Sequence, residues 1–187
     1  FNALSAAERE TAAGLFDDVV QGRRSWEDVD RWVATLYGLN PSDLQIIADT
    51  LAFNLPFADS KIAAQARPDK KTQDRFLAQL CRDLEPWAKR FDTQLRIDPI
   101  ERSSSPWLGL RLHTGTVTPT ASDADWEAFL GLADATAATE LIVQLQDGSL
   151  LIGRLAQNRF WTETQARLLA QHIVWSRLDV LKGWAKA

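Results

Sequence analysis

The chain has 187 residues, 45% of them apolar and 25% charged, with a formal net charge of −4. This is the composition of a globular protein with room for one sizeable core or two small ones. It excludes a membrane-spanning helix, since no apolar run reaches the ~18 residues that need demands, and a disulfide framework, since Cys81 is the single cysteine and so fits a reducing cytoplasm. No basic segment followed by an apolar one marks a signal peptide, and the start at Phe1, without Met, suggests an excised piece. The charge is uneven: residues 1–60 carry four basic and ten acidic side chains, residues 61–111 eleven and seven, and residues 112–187 six and eight. Only the middle block has the sign that attracts an anion.

Taken in chain order, Ser5 and Glu8 form a capping-box pattern that opens a first helix with Ala12, Phe16, Val19 and Val20 on one face. Gly22 ends it. Ser25 caps a second helix whose stripe is Trp26, Val29, Val33 and Leu36, closed by Gly38. Asn40 and Pro41 are a natural cap and first residue for a third. That helix is expected to bury Leu44, Ile47 and Leu51 and to stop before Pro56. From about Asp69, Phe76, Leu80, Leu84, Trp87 and Phe91 form one continuous helical stripe. Pro86 lies inside it, which predicts a kink or break near Asp83 to Glu85.

The period then changes. "TQLRIDPI" and "WLGLRLH" alternate, with Leu95 and Ile97, then Leu108, Leu110 and Leu112, in phase, so two strands are expected around the polar loop "ERSSSP". A helix from Ser122 carries Trp126, Phe129, Leu130 and Ala133. In "ELIVQLQDGSLLIGRL" two apolar runs flank Asp147-Gly148, which predicts a hairpin with a two-residue type I′ turn. Thr162 and Gln165 make another capping box, opening a long C-terminal helix with Leu169, Ile173, Val174, Leu178 and Leu181 on its apolar face. The expected class is α+β: a helical N-terminal half, residues 1–91, then a ββα–ββα antiparallel sheet packed against helices, residues 92–187. The two regions are expected to share one compact core, with two helices on one face of the sheet in a two-layer sandwich.

Motifs for chemistry are scarce. Asn54-Leu55-Pro56-Phe57 resembles the Asn-Pro-Pro-Phe loop with which amino-group DNA methyltransferases hold a flipped base. It follows a helix rather than a strand, Leu replaces Pro, and no glycine-rich turn after a strand is present to bind a methyl donor. It reads better as a helix exit, with Asn54 as a cap and Leu55 and Phe57 returning to the core. His113 and His172 have no Cys or acidic residue at metal-ligand spacing and read as packed or solvated. Cys81, beside an apolar stripe, reads as a core filler. No Walker, nucleophile-elbow or paired-carboxylate motif occurs, so no metal, no cofactor and no catalytic residue is expected. Trp26, Trp87 and Trp126 lie on helical stripes and read as core. Trp107, Trp161 and Trp184, at element ends, are the indoles that could stack on a base or anchor a partner. Lys70, Lys71 and Arg75 crowd a helix start, where positive charge opposes the dipole unless an anion or acidic group is near. With Arg159 and Trp161 at the hairpin-to-helix turn, they form the expected DNA-binding set.

Two segments carry a resemblance. "LYGLNPSDLQIIADTL", with Leu36-Tyr37-Gly38-Leu39 and Asp49-Thr50-Leu51, is similar to a segment found late in large N6-adenine DNA methyltransferases of restriction–modification and phage-defence systems. "LLIGRLAQNRFWTETQARLLAQHI", with Arg159, Phe160, Trp161, Thr162, Thr164 and the run Ala166 to Ala170, is similar to their C-terminal strand, aromatic turn and helix. The resemblance implies a non-catalytic, cytoplasmic piece from outside the methyltransferase core, either an excised C-terminal domain or a separately encoded small subunit. Its expected partners are a DNA methyltransferase or other defence-complex protein and double-stranded DNA, and no membrane. The alternative is a protein-interaction module that binds no nucleic acid, which the net negative charge favours.

Overall fold

The computed structural model describes residues 4–53, 58–100, 102, 105–114 and 122–184. The chain separates into two compact units, Phe1–Ala48 and Asp49–Ala187. No helix among the described residues is long and apolar enough to cross a membrane. The tetrapeptide Asn54 to Phe57 lies outside the described residues.

The first unit holds α1 (Ala6–Val20), α2 (Trp26–Leu36) and the beginning of α3 (Pro41–Phe53). Its helix starts follow the sequence closely. The Ser5 hydroxyl accepts from the Glu8 amide at 3.2 Å while the Glu8 carboxylate accepts from the Ser5 amide at 2.6 Å. The Asn40 side chain accepts from the amides of Ser42 and Asp43. The core is where expectation fails. In α1 and α2 the buried side chains are Leu15 and Ala34, while Phe16 and Trp26, in edge-to-face contact at 6.5 Å, remain mostly exposed. Along α3, Leu44, Ile47 and Leu51 all face solvent, and no residue of that helix is buried. Helical spacing puts such residues on one face; it does not supply a second surface to cover them.

The second unit contains α4 (Ala58–Gln65), α5 (Lys70–Arg90), β1 (Leu95–Ile100), β2 (Trp107–Thr114), α6 (Asp123–Thr136), β3 (Glu140–Gln144), β4 (Leu150–Leu155), a 3-10 turn (Asn158–Phe160), α7 (Glu163–Ser176) and α8 (Leu178–Trp184). The four strands form an antiparallel sheet in the order β1-β2-β4-β3, so the α+β class holds. The boundary between units does not fall at residues 91 and 92. Phe76, Leu80 and Leu84 of α5 are buried in the sheet's own core, so that helix belongs to the sheet unit.

The sheet is covered on both faces, not one. Leu108, Leu110, Leu112, Leu150 and Ile152 meet α5, α7 and α8 on one side. Trp107 and Leu151 meet Trp126, Phe129 and Ala133 of α6 on the other. Two paired glycines allow that second contact. Gly109 and Gly153 lie directly opposite in the β2–β4 ladder. A Cβ on Gly109 would stand 2.7 Å from the Trp126 ring, and one on Gly153 would overlap the Phe129 ring. The absent side chains let the stacked Trp126–Phe129 pair, 5.1 Å between centroids, lie directly on the backbone.

Several local readings are corrected. Helix α5 runs unbroken through Pro86. Pro86 is exposed, so the missing donor falls on the solvent side while Leu84 and Ala88 stay packed. The hairpin loop has three residues, not two. The Gly148 amide donates to Leu145 O and the Leu145 amide to Ser149 O, and only Gly148, at φ +80, is left-handed within the loop. This is a type I turn followed by a bulge. Asp147 keeps an ordinary φ because its carboxylate accepts from the Ser149 amide and hydroxyl and pairs with Arg111. The C-terminal helix is broken at Arg177, whose guanidinium donates to Ile142 O of β3 at 3.3 Å, and α8 returns Val180 and Leu181 to the core. The Thr162 cap is present, accepting from the Gln165 amide at 3.2 Å. Its reciprocal half is not, because Gln165 Oε1 accepts from Arg154 instead.

Replacing Gly153 by Ala should destabilise the sheet unit by about 1–3 kcal/mol through overpacking against Phe129, read as a lower denaturant midpoint with an unchanged slope.

Candidate nucleic-acid interface

Two sequence-distant stretches meet at one corner of the sheet unit. Phe76, in the second turn of α5, lies against Trp161 with ring centroids 4.8 Å apart. The Trp161 indole N–H donates to Leu155 O at 3.0 Å. Asn158 donates from its side chain to Ala63 O and from its backbone to Ala66 O, both at 2.9 Å, so the 3-10 turn is tied to the end of α4. Arg67, between α4 and α5, donates to Ser105 O at 2.9 Å. These contacts bring the start of α5, which bears Lys70, Lys71 and Arg75, near the β4–α7 turn, which bears Arg159.

Lys70, Lys71, Arg75 and Arg159 are all exposed. The charge near the α5 N-terminus is balanced from within the protein. Asp69 caps the helix, accepting from the Thr72 amide at 2.7 Å. Thr72's hydrogen bonds lead in holding the Asp69 carboxyl below its usual range, with Lys71 and Arg75 adding attraction. Lys70 pairs with Asp74 at 2.8 Å. An external anion is therefore not required to explain cations at this helix start. Arg159 donates to Gln157 Oε1 at 2.9 Å and lies over the Phe160 ring at 4.8 Å, which leaves the guanidinium on the surface. Arg67 joins the same exposed rim; its place in the basic block was the signal for it.

Trp161 does not present a stacking surface. It is 2% exposed and fully engaged in the core, so its expected base-stacking role is corrected to that of a structural pin. Trp107 is buried on the α6 face as well, and the Trp184 side chain lies outside the described set. Trp126 is core as expected, whereas Trp26 is not. Among the described residues the most exposed indole is Trp175, at 85%. It shares the outward face of α7 with Leu168 and His172, off the Ala166, Leu169, Ala170 and Ile173 stripe, and that offset was its signal in the sequence.

The two segments that carry the methyltransferase resemblance are in contact. Asp49, from the first, accepts at 3.0 Å from the backbone amide of Thr164, from the second, across 115 positions of chain. That amide is one of the orphan donors at the start of α7, where negative charge is also favoured by the helix dipole.

Titratable groups elsewhere are tied into the fold. His113 is buried, not solvated: its Nε2 lies 2.7 Å from Asp98 on β1. On the same face the buried Arg111 donates to Ser149 Oγ at 3.0 Å and pairs with Asp147. Burial pushes the Asp147 carboxyl up, but the Ser149 hydrogen bonds and Arg111 outweigh it and hold it below the ordinary range. Cys81 is exposed and not the core filler its place beside the apolar stripe suggested; what desolvation it has raises the thiol, the opposite of what an activated nucleophile needs. Among the described residues no His, Cys, Asp and Glu group could hold a metal ion.

No protein-family model, no curated protein and no solved structure matches the chain.

Removing the Asp49 carboxylate with Asp49→Ala should cost about 1–2 kcal/mol, as loss of a helix cap does, seen as a lower melting temperature for the sheet unit. A depressed carboxyl stabilises the fold above the pH at which the unfolded chain titrates, near ~4, and that stabilisation is lost as pH falls through the lower folded value. Asp147→Asn should therefore cost about 0.5 kcal/mol at neutral pH, the half-exposed pair being screened by solvent. Its unfolding curve should coincide with that of the parent once Asp147 is protonated in both states.

Proposed function

We propose that this chain is a non-catalytic domain or small subunit of a DNA-modification assembly, helping hold duplex DNA against a methyltransferase core. The observation that carries the reading is the exposed basic rim of Arg67, Lys70, Lys71, Arg75 and Arg159 on a chain whose total charge is negative. A local positive surface is what phosphate contact requires. Arg159 of this rim lies in one of the two segments that resemble adenine methyltransferases, and that segment is hydrogen-bonded to the other. Chemistry is assigned to a companion: the sequence has no glycine-rich turn after a strand, and the site residues act by charge alone.

A second reading has its own observation. Leu44, Ile46, Ile47 and Leu51 leave α3 with an exposed apolar surface, and surfaces of this kind mark protein contacts. On this reading the chain is an interaction module, and its contact with DNA is indirect.

Binding to duplex DNA across a salt series separates the two, with and without a methyltransferase core encoded next to this chain. Each phosphate contact contributes about −0.9 to the slope of log affinity against log salt, so replacing Lys70, Lys71, Arg75 and Arg159 by Ala should flatten the slope by about three to four. An unchanged slope would remove the rim from the interface. Binding to the core alone, with no direct DNA affinity, would select the interaction module. No association with either would end the proposal.

A further inference from the structure

We propose that the open edge of β1, with the groove beside it under α5, is a docking site for an acidic, extended segment of a partner protein, which joins the sheet as a fifth strand. This surface uses neither the basic rim nor the methyltransferase resemblance, and it stands or falls separately from them.

β1 is one of the two terminal strands of the sheet and, among the described residues, pairs only with β2. A terminal strand exposes a row of backbone donors and acceptors, and proteins normally cover or blunt that row. Here blunting is partial. Pro99 sits near the end of β1, opposite Leu110, and a proline is accommodated in an edge strand when its missing N–H faces the unpaired side. Residues of the same parity, Leu95 and Ile97, therefore direct their N–H and C=O groups outward. Their side chains still pack on the main core. The strand thus offers a short run of outward amides at its start and ends it at Pro99.

Beside this run is a groove of about 600 Å³. One wall is the β1 end of the chain, from Thr93 to Ile97; the other is a helical stripe of α5 that includes Ala78, Cys81, Leu84 and Ala88. Small and aliphatic side chains line its base and leave room for alternate side chains of an added strand, the arrangement used in recognition by strand addition. The charge of the rim selects the occupant. Arg82, Lys89 and Arg96 line the groove with a single carboxylate, Glu85, and Glu85 is held by Lys89 at 2.6 Å. Arg82 donates to the neutral Gln79 side chain at 2.8 Å, and neither Arg82 nor Arg96 has a carboxylate partner among the described residues. Arg82 stands on the α5 side of β1, and Arg96, in phase with Asp98 and Ile100, on the other, so an extended segment with acidic side chains on both of its faces meets the edge amides and both arginines.

The probe is a synthetic, end-capped peptide of repeating valine-glutamate-glutamate, which places glutamates on both faces of an extended strand. Its controls are a lysine-for-glutamate counterpart and a version N-methylated at alternate amides, which cannot pair as a strand. Fluorescence anisotropy gives affinity, and amide hydrogen exchange on the full chain gives location. The glutamate peptide should bind, slow exchange at Leu95 and Ile97, and lose affinity about tenfold or more on N-methylation. Charge reversal with Arg82→Glu and Arg96→Glu, both at exposed positions, should abolish its binding and admit the lysine peptide, with an unchanged melting temperature showing that the fold is intact. Equal binding of the N-methylated peptide, protection elsewhere than β1, or no binding of the glutamate peptide would overturn the proposal. Displacement of the bound peptide by duplex DNA, with protection at the same amides, would reassign the groove to nucleic acid.

Discussion

A buried arginine organises the sheet unit. Arg154 of β4 is 3% exposed. It pairs with Glu140 of β3 at 2.8 Å, donates to Gln165 Oε1 of α7 at 2.8 Å, and lies over the Phe76 ring of α5 at 5.3 Å. Burial opposes the charge strongly enough to bring the guanidinium down to about 10, against the pull of Glu140, so at neutral pH it is still a cation. A charge taken out of water is tolerated only when its partners are all in place, and stripping one partner from such a pair costs ~3–5 kcal/mol. This makes Arg154 a device for specifying arrangement. Strands β3 and β4, the first turns of α5 and the start of α7 all meet at this guanidinium, whose Nε is buried with no hydrogen-bond partner among the described residues.

The surface corner inherits that placement. Phe76 carries the contact outward, from the Arg154 guanidinium on one side to the Trp161 ring on the other. Trp161 in turn fixes the turn that bears Arg159. The turn bearing Arg159 is thus held by packing beneath it.

The other face of the sheet follows a different logic. There the constraint is steric, set by Gly109 and Gly153 and the two rings that occupy the space above them. At its far end the constraint is again polar, with His113 on Asp98 tying β1 to β2 and Arg111 on Asp147 tying the hairpin turn to β2. These pairs explain histidine and carboxylate groups that might otherwise suggest a catalytic centre. Among the described residues, the outer side of β1 pairs with no other strand.

Much of this was legible in the chain. Period and capping residues placed α1, α2, α3, α5, α6 and the four strands, because a helix start or an alternating strand is decided by neighbours within a few residues. The basic character of residues 61–111 was legible for the same reason. What only the tertiary structure decided were matters of who covers whom. Helical spacing gave Leu44, Ile47 and Leu51 the same promise as Phe76, Leu80 and Leu84, yet the first three are exposed and the last three buried. Trp161 went into the core instead of onto the surface, Gln165 left its capping box for Arg154, and Arg177 divided a continuous apolar run into two helices. Each outcome depends on a partner tens of residues away, and local pattern carries no record of that partner.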